Sequence, residues 1–254
     1  MRLFLVLLIS LSCISQALAF GCRTVKQEEN KIKTKWDGSS ANLGVNRTTG
    51  NSPTKNYNIA FNLKYTNQPW QNIFESSAQF GETDSIMTKR IYFVQDQVNY
   101  SLNKKDELKN FIFASGNSKF DTFSPYRYQS VVAAGYGHDW VRNEKVVFST
   151  QLGPGARQNK ERETSIITTS LIATLQTDLT WKITPNLGFS QMLRDDYGKQ
   201  YNLFRSESVM TNKILGNCAI QLKYVVENYS RIPALTKRTK KTDTTLIINL
   251  VYNF

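Results

Sequence analysis

The chain has 254 residues and a formal net charge of +12, from 32 lysines and arginines against 20 aspartates and glutamates. Hydrophobic residues make up 40% of the chain and its mean hydropathy is −0.41, which argues against a bundle of membrane-spanning helices. The single histidine, without clustered cysteines or carboxylates, falls short of a metal ligand set, so we predict neither a metal nor a cofactor. No helix-turn-helix, zinc or RNA-binding pattern accompanies the positive charge, so nucleic acid is not an expected partner.

The first residues have the pattern of a secretory signal peptide. Arg2 supplies a positive charge, residues 3–11 are almost wholly apolar, and Ala17 and Ala19 form a small-residue cleavage site. We therefore predict that residues 1–19 are a signal peptide and that the protein is exported.

Cleavage after Ala19 would leave a polar periplasmic leader over residues 20–35 and one domain over residues 36–254. That length suits one domain and is too short for two large ones. Attachment of a lipid to Cys22 is an alternative, although the residues before this cysteine fit a lipidation motif poorly.

Beyond the leader, apolar and polar residues alternate with a period of two, as they do in strands with one apolar face. The clearest example is a strand in which every second residue from Tyr57 to Tyr65 is apolar or aromatic. We predict twelve strands, with ten or fourteen as alternatives. They cover residues 38–48, 55–66, 70–82, 88–102, 107–116, 126–140, 145–155, 165–183, 187–194, 201–210, 214–227 and 243–254.

The last predicted strand is apolar on one face and ends on an aromatic residue, Phe254. A long apolar strand at an unprotected edge promotes aggregation in water. A transmembrane barrel requires such a strand, because its last strand must pair with its first. The predicted fold class is therefore all-β, a transmembrane antiparallel up-and-down β-barrel, integral to the outer membrane of a Gram-negative bacterium. The expected partners are outer-membrane lipid and, through the C-terminal strand, the barrel assembly machinery.

The connections should alternate in length if the N-terminus is periplasmic. The even-numbered connections read as short periplasmic turns, and the odd-numbered ones are mostly longer and more charged. The last connection is basic, and we predict that its cations contact lipopolysaccharide phosphates on the extracellular side. A solvated loop with no such contact is the alternative. These cations are Arg231, Lys237, Arg238, Lys240 and Lys241.

From the two faces of the strands we predict one set of residues at the membrane interfaces and one set in the lumen. Aromatic residues near strand ends are expected to form the girdles at the membrane interfaces; they are Tyr57, Tyr65, Tyr136, Trp140, Tyr252 and Phe254. Polar residues on the opposite face are expected to line the lumen; the candidates are Asn58, Asn62, Lys64, Gln97, Asn99, Asn217, Gln221 and Lys223.

Two residues break the pattern. Asp96 shares its face with Val94 and Val98, which would direct a carboxylate at lipid unless a bulge shifts the strand, the residue lies near an interface, or the facing is reversed. Pro154 cannot donate a ladder hydrogen bond, so we expect it to end a strand or to lie at a bulge.

Several short glycine-containing and aromatic motifs resemble the bacterial family called domain of unknown function 481. Their order and spacing carry the resemblance over about residues 36–254. They are Trp36-Asp37-Gly38, Leu43-Gly44, Thr49-Gly50-Asn51-Ser52, Phe120-Asp121-Thr122-Phe123, Tyr126-Arg127-Tyr128, Gly135-Tyr136-Gly137, Gly153-Pro154-Gly155 and Lys241-Thr242-Asp243. Members are described as salt-induced outer-membrane proteins of the YdiY type. The resemblance implies an outer-membrane barrel and no catalytic residue.

Three functions are compatible with such a barrel. The first is a narrow, porin-like channel for small polar or anionic solutes, and the second is a non-conducting barrel that supports the envelope under salt or osmotic stress. The weakest is a lipid hydrolase with His138 as its base, since no motif of fixed spacing places a nucleophile beside this residue. Because His138 lies between two aromatic residues near a strand end, we interpret it as part of a girdle. We therefore predict that the protein is not an enzyme.

Overall fold

The computed structural model describes residues 35–47, 54–103, 109–231 and 241–254. The predicted signal peptide and all but the last residue of the predicted leader lie outside these residues. So do Lys237, Arg238 and Lys240 of the basic connection.

Twelve strands account for most of the described chain, as predicted. They are β1 (Ser40–Arg47), β2 (Thr54–Asn67), β3 (Trp70–Thr83), β4 (Ile86–Ser101), β5 (Asn110–Asp121), β6 (Tyr126–Arg142), β7 (Val146–Glu161), β8 (Ile167–Lys182), β9 (Leu187–Gly198), β10 (Leu203–Leu215), β11 (Cys218–Tyr229) and β12 (Thr242–Asn253). The part of the chain that the structure describes contains no helix that is long and apolar enough to cross a membrane.

Every strand pairs antiparallel with its two neighbours, and β1 closes the ring by pairing with β12. In this seam Ser40 lies opposite Asn253 and Leu43 lies opposite Leu250. Over these four paired positions the seam bonds the backbone groups of β1 and β12 to each other, as a barrel wall in a membrane requires. The prediction of an up-and-down β-barrel of twelve strands is confirmed.

The barrel has two rims, which we name by what they carry. The terminal rim holds the start of β1 and the end of β12, together with connections 68–69, 102–109, 143–145, 183–186 and 216–217. The loop rim holds connections 48–53, 84–85, 122–125, 162–166, 199–202 and 230–241.

Two connections differ in length from those that the predicted strand ends imply. The third connection contains only Asp84 and Ser85, whose φ angles of 51° and 64° suit the tight hairpin turn that matches strand twist. The fourth, expected over residues 103–106, spans residues 102–109. The length of the third connection is therefore set by the backbone conformation of Asp84 and Ser85, and not by the side of the membrane on which the connection lies.

The outer face of the barrel is apolar and the inner face is polar. On β12, Leu246 and Ile248 are 62% and 55% exposed on the outside, whereas the inward Asn249 is 2% exposed. Such a surface requires a hydrocarbon environment. The predicted girdle residues Tyr57, Tyr136, Trp140, Tyr252 and Phe254 are all exposed on this outer face, and Tyr65 packs on Trp36 with 4.9 Å between ring centroids.

The expectation for Pro154 is wrong, because β7 continues through it without a register shift. Ala133 pairs with Gly155 and Tyr136 pairs with Leu152, which is one register on both sides of the proline. Pro154 itself lies opposite Ala173 in an unbroken ladder with β8. The β6–β7 ladder has no paired position between Ala133–Gly155 and Tyr136–Leu152, so Pro154 lies where that ladder is already interrupted.

Asp96 lies on the outer face, and no bulge redirects it. β4 pairs with β5 without interruption from Ile91 to Ser101. The Asn72 side-chain amide donates a 2.8 Å hydrogen bond to the Asp96 carboxylate. Asp96 lies four positions before Tyr100 in the aromatic row of the terminal rim, which places it roughly 13 Å along the strand from that row. The hydrogen bond lowers the cost of a carboxylate at this depth.

Replacing Asn72 with leucine is expected to lower the free energy of unfolding by about 1–3 kcal/mol, because Asp96 would lose its donor next to lipid. The Asn72→Leu/Asp96→Leu variant should recover that loss, since neither polar group remains. Urea unfolding in lipid vesicles measures both. Asn212→Leu, which changes another outward asparagine, is the control; an equal effect of Asn72→Leu and Asn212→Leu would contradict the interpretation.

Candidate functional site: a divided polar lumen

A cavity of about 840 Å³ occupies the lumen on the side of β1–β4 and β10–β12. It reaches from Asp121 and Asp243 at the loop rim to Asn42 and Gln221 in the terminal half of the barrel. A second cavity of about 170 Å³ lies on the side of β5–β9, where Arg157 and Asp178 border it. The lumen is therefore divided rather than uniformly filled.

Charged residues that cross the lumen make the division. The Lys119 ammonium on β5 lies 2.5 Å from the Glu227 carboxylate on β11, and these strands are six positions apart in the ring of twelve. The Arg205 guanidinium on β10 lies 5.4 Å from the ring centroid of Phe93 on β4, again across the lumen. Residues from opposite walls thus meet in the middle.

Further ion pairs extend this contact along β10 and β11. Arg205 lies 3.1 Å from Glu227 and 3.0 Å from Glu207, and Lys223 forms an ion pair with Glu207. We call Lys119, Glu227, Arg205, Glu207 and Lys223 the cross-lumen bridge. Charge-assisted bonds shared among five residues hold side chains more firmly than an isolated surface pair does.

The charges of the large cavity are nearly balanced. Within the described residues its lining includes four cations and five carboxylates, so the basic character of the whole chain is not concentrated there. The cations are Lys89, Lys119, Arg205 and Lys223, and the carboxylates are Glu75, Asp121, Glu207, Glu227 and Asp243.

Packed side chains fill the terminal half of the lumen beside β3–β7. Gln97 donates to Asn99 at 2.9 Å and to Gln151 at 3.1 Å, and Asn99 donates to Gln71 at 3.2 Å. Phe111 lies in the same half in a buried cluster with a second phenylalanine. We call this layer the lumen floor.

A chain of amides runs around the wall of the large cavity. The Asn58 side-chain amide donates to the Asn249 side-chain oxygen at 3.0 Å, and the Asn249 side-chain amide donates to the Gln221 side-chain oxygen at 3.1 Å. This chain passes over β1 at Gly44, where an added Cβ would lie 2.5 Å from the Asn249 oxygen. The side-chain carbonyl oxygens of Asn42 and Asn58 are buried and accept no hydrogen bond from the described residues.

The small cavity is closed at the loop rim by the connection between β9 and β10. The buried Arg157 donates 3.0 Å hydrogen bonds to the backbone oxygens of Asp196 and Tyr201, and its guanidinium lies 4.4 Å from the Tyr201 ring centroid. Tyr201 stacks on Tyr126 with 5.9 Å between centroids. These contacts place the Tyr201 side chain over the small cavity at the loop rim.

The predicted lumen residues occupy different levels of the barrel. Asn58, Asn62, Gln221 and Lys223 line the large cavity. Gln97 and Asn99 belong to the floor. Lys64 lies near the terminal rim, where its backbone N–H donates to the Ser39 hydroxyl at 3.0 Å. Asn217 lies in the turn between β10 and β11, where its backbone oxygen accepts a 2.9 Å bond from Asn253.

His138 lies on the outer face of β6. Its Nδ1 is 2.7 Å from the Asn110 side-chain oxygen, and its ring contacts Trp140 with 4.8 Å between centroids. Ser149 on the neighbouring strand is buried on the inner face. Among the described residues, no group of three or more histidines, cysteines or carboxylates is placed to hold a metal ion.

Solved structures with a similar fold are outer-membrane barrels. The NanC porin superposes with a TM-score of 0.50 at 10% identity, over 85% of this chain and 100% of that one. An outer-membrane channel of the COG4313 family from Pseudomonas putida F1 gives 0.49 at 11% identity, over 91% and 100%. The KdgM porin gives 0.43 at 10% identity, over 85% and 99%. At these identities the likeness to the NanC porin establishes the fold and nothing about the solute.

No curated protein sequence matches the chain. The model of the family described as "protein of unknown function, DUF481" matches residues 41–254, which include the whole barrel except the first residue of β1. The family resemblance of the sequence motifs is thereby confirmed, and the chain belongs to this family.

Proposed function

We propose that the protein is a narrow outer-membrane channel for small polar solutes, entered from the extracellular side. The observation that carries the proposal is the polar cavity of about 840 Å³ inside a closed barrel with an apolar outer surface. A space of this size, bordered by amides and paired charges, suits small polar molecules. The nearly balanced charge of the cavity argues against a strong preference for anions.

The orientation follows from the export of the chain. A signal peptide leaves the mature N-terminus in the periplasm, and the terminal rim then faces the periplasm because β1 begins there. The loop rim, where the large cavity begins, would face the exterior. The basic connection beside Arg231 and Lys241 would lie on the same side, within reach of lipopolysaccharide phosphates.

A non-conducting barrel that supports the envelope is the second candidate. The lumen floor favours it, because hydrogen-bonded amides and Phe111 fill the terminal half beside β3–β7. In this case the protein would contribute mechanical or osmotic support through its wall rather than passage through its lumen.

Single-channel recording of the refolded mature chain in planar bilayers separates these candidates. Folding is verified first by the shift in electrophoretic mobility on heating and by strand-type circular dichroism. Discrete conductance steps with weak ion selectivity are expected for the channel. Silence from a verified folded barrel would overturn the channel proposal and favour the supporting role.

A further inference from the structure

We propose that the wall formed by β1–β3 and β12 binds a neutral polyhydroxylated solute, such as a small sugar. The inference rests on the proposed function in one respect, since the solute must enter the large cavity from the loop rim. It goes further by naming a site within the cavity and the chemical class of its ligand.

The wall holds buried hydrogen-bond acceptors that no described residue satisfies. Asn42 and Asn58 are 5% and 7% exposed, and the side-chain oxygen of each lacks a donor among the described residues. Glu75 lines the same cavity and has no hydrogen bond or ion pair with any described side chain. Buried acceptors without donors are costly, so this wall favours a molecule that donates several hydrogen bonds.

The amide chain strengthens the acceptor on Asn58. Asn58 donates to Asn249 at 3.0 Å and Asn249 donates to Gln221 at 3.1 Å, so all donors in the chain point the same way. The Asn58 oxygen is the open end of this chain. Hydrogen bonds aligned in series polarise one another, which makes the free oxygen a better acceptor than an isolated amide.

The charges of the cavity select a neutral ligand. Lys223 and Arg205 act electrostatically on Glu75 and offset part of its charge, so a cationic ligand gains little at this carboxylate. An anion gains little from Lys119, Arg205 and Lys223, because each is bonded to a glutamate. Lys89 is the one lining cation among the described residues outside these pairs, and its ammonium donates to the Thr245 hydroxyl at 3.2 Å. Hydroxyl groups donate hydrogen bonds without adding charge, and a cavity of about 840 Å³ admits a mono- or disaccharide.

Saturation-transfer NMR on the folded protein in detergent tests the proposal with D-glucose and sucrose as probes. Choline and gluconate serve as cationic and anionic comparisons. We expect transfer to the two sugars and little transfer to the charged compounds. Asn58→Ala and Asn42→Ala should each weaken sugar binding by about three- to tenfold, the effect of one lost hydrogen bond.

Asn56→Ala is the matched control, because Asn56 lines the same cavity on the same strand and has no buried acceptor without a donor. Absence of transfer to either sugar would overturn the inference, as would equal binding by Asn58→Ala and Asn56→Ala. Transfer to choline or gluconate as strong as that to sucrose would overturn the ligand class. Because the readout is binding, sugar binding by a silent barrel would refute only the channel, and conductance without sugar binding would refute only this site.

Discussion

Replacing Lys119 with alanine is expected to raise the single-channel conductance by roughly twofold or more, because it removes the ion pair that joins β5 to β11 across the lumen. Glu227 would keep Arg205 as a partner at 3.1 Å, so the carboxylate would not be left uncompensated. The lumen would also lose one positive charge, and the reversal potential should shift towards cation preference. Planar bilayers with a salt gradient give both quantities in one experiment.

Further variants distinguish the effect of lumen width on conductance from the effect of lumen charge on ion selectivity. Glu227→Gln should shift the reversal potential towards anions, whereas Lys119→Ala/Glu227→Ala should raise conductance with little change in selectivity. Lys55→Ala is the control, because it removes the same charge from an ion pair with Glu82 in which both side chains are largely exposed. If Lys119→Ala and Lys55→Ala had the same conductance and the same reversal potential, the cross-lumen bridge would not divide the lumen.

Replacing Gly135 or Gly153 with alanine is expected to destabilise the barrel by about 3 kcal/mol or more, or to prevent its refolding. These glycines face each other where β6 and β7 approach closely. An added Cβ on Gly153 would lie 2.7 Å from the Gly135 Cα and closer still to the Ala134 carbonyl oxygen. Both obstacles are backbone atoms, which cannot rotate away as a side chain could.

Gly116→Ala provides the control for this prediction. The nearest atom to its added Cβ would be the Val132 Cγ1 at 3.9 Å, an ordinary contact, so its stability should change by only about 0.5–1 kcal/mol. The fraction of heat-modifiable barrel after refolding and the midpoint of urea unfolding measure the three variants. A Gly153→Ala barrel as stable as Gly116→Ala would show that the close approach of β6 and β7 is not required.

The strand pattern could be predicted because the environment of each residue alternates with the pleat. Every second residue of β12 meets the outer, apolar environment, so the sequence alternates in the same way. The place of Pro154 inside β7 could not be predicted, because a proline fits a strand interior only where its neighbour does not need its N–H. That depends on the pairing of β6 with β7. Local sequence does not specify that geometry.

The cross-lumen bridge could not be predicted for a different reason. Alternation indicates which face a residue occupies, but not which residue faces it from the opposite wall, and Lys119 and Glu227 are 108 positions apart in sequence. The strand ends added to the difficulty. β5 was expected to end at residue 116 and β7 at residue 155, yet they continue to Asp121 and Glu161, which brings Lys119 and Arg157 into the wall.

The amide chain over Gly44 has a consequence for the way a solute can leave the barrel. The seam between β1 and β12 has four paired positions, from Ser40 with Asn253 to Leu43 with Leu250. The hydrogen bond from Asn58 to Asn249 joins β2 to β12 on the inner side of this seam. Sideways opening between β1 and β12 would have to break that bond as well as the ladder. In the proposed channel, a solute would therefore leave along the barrel axis rather than sideways into the lipid.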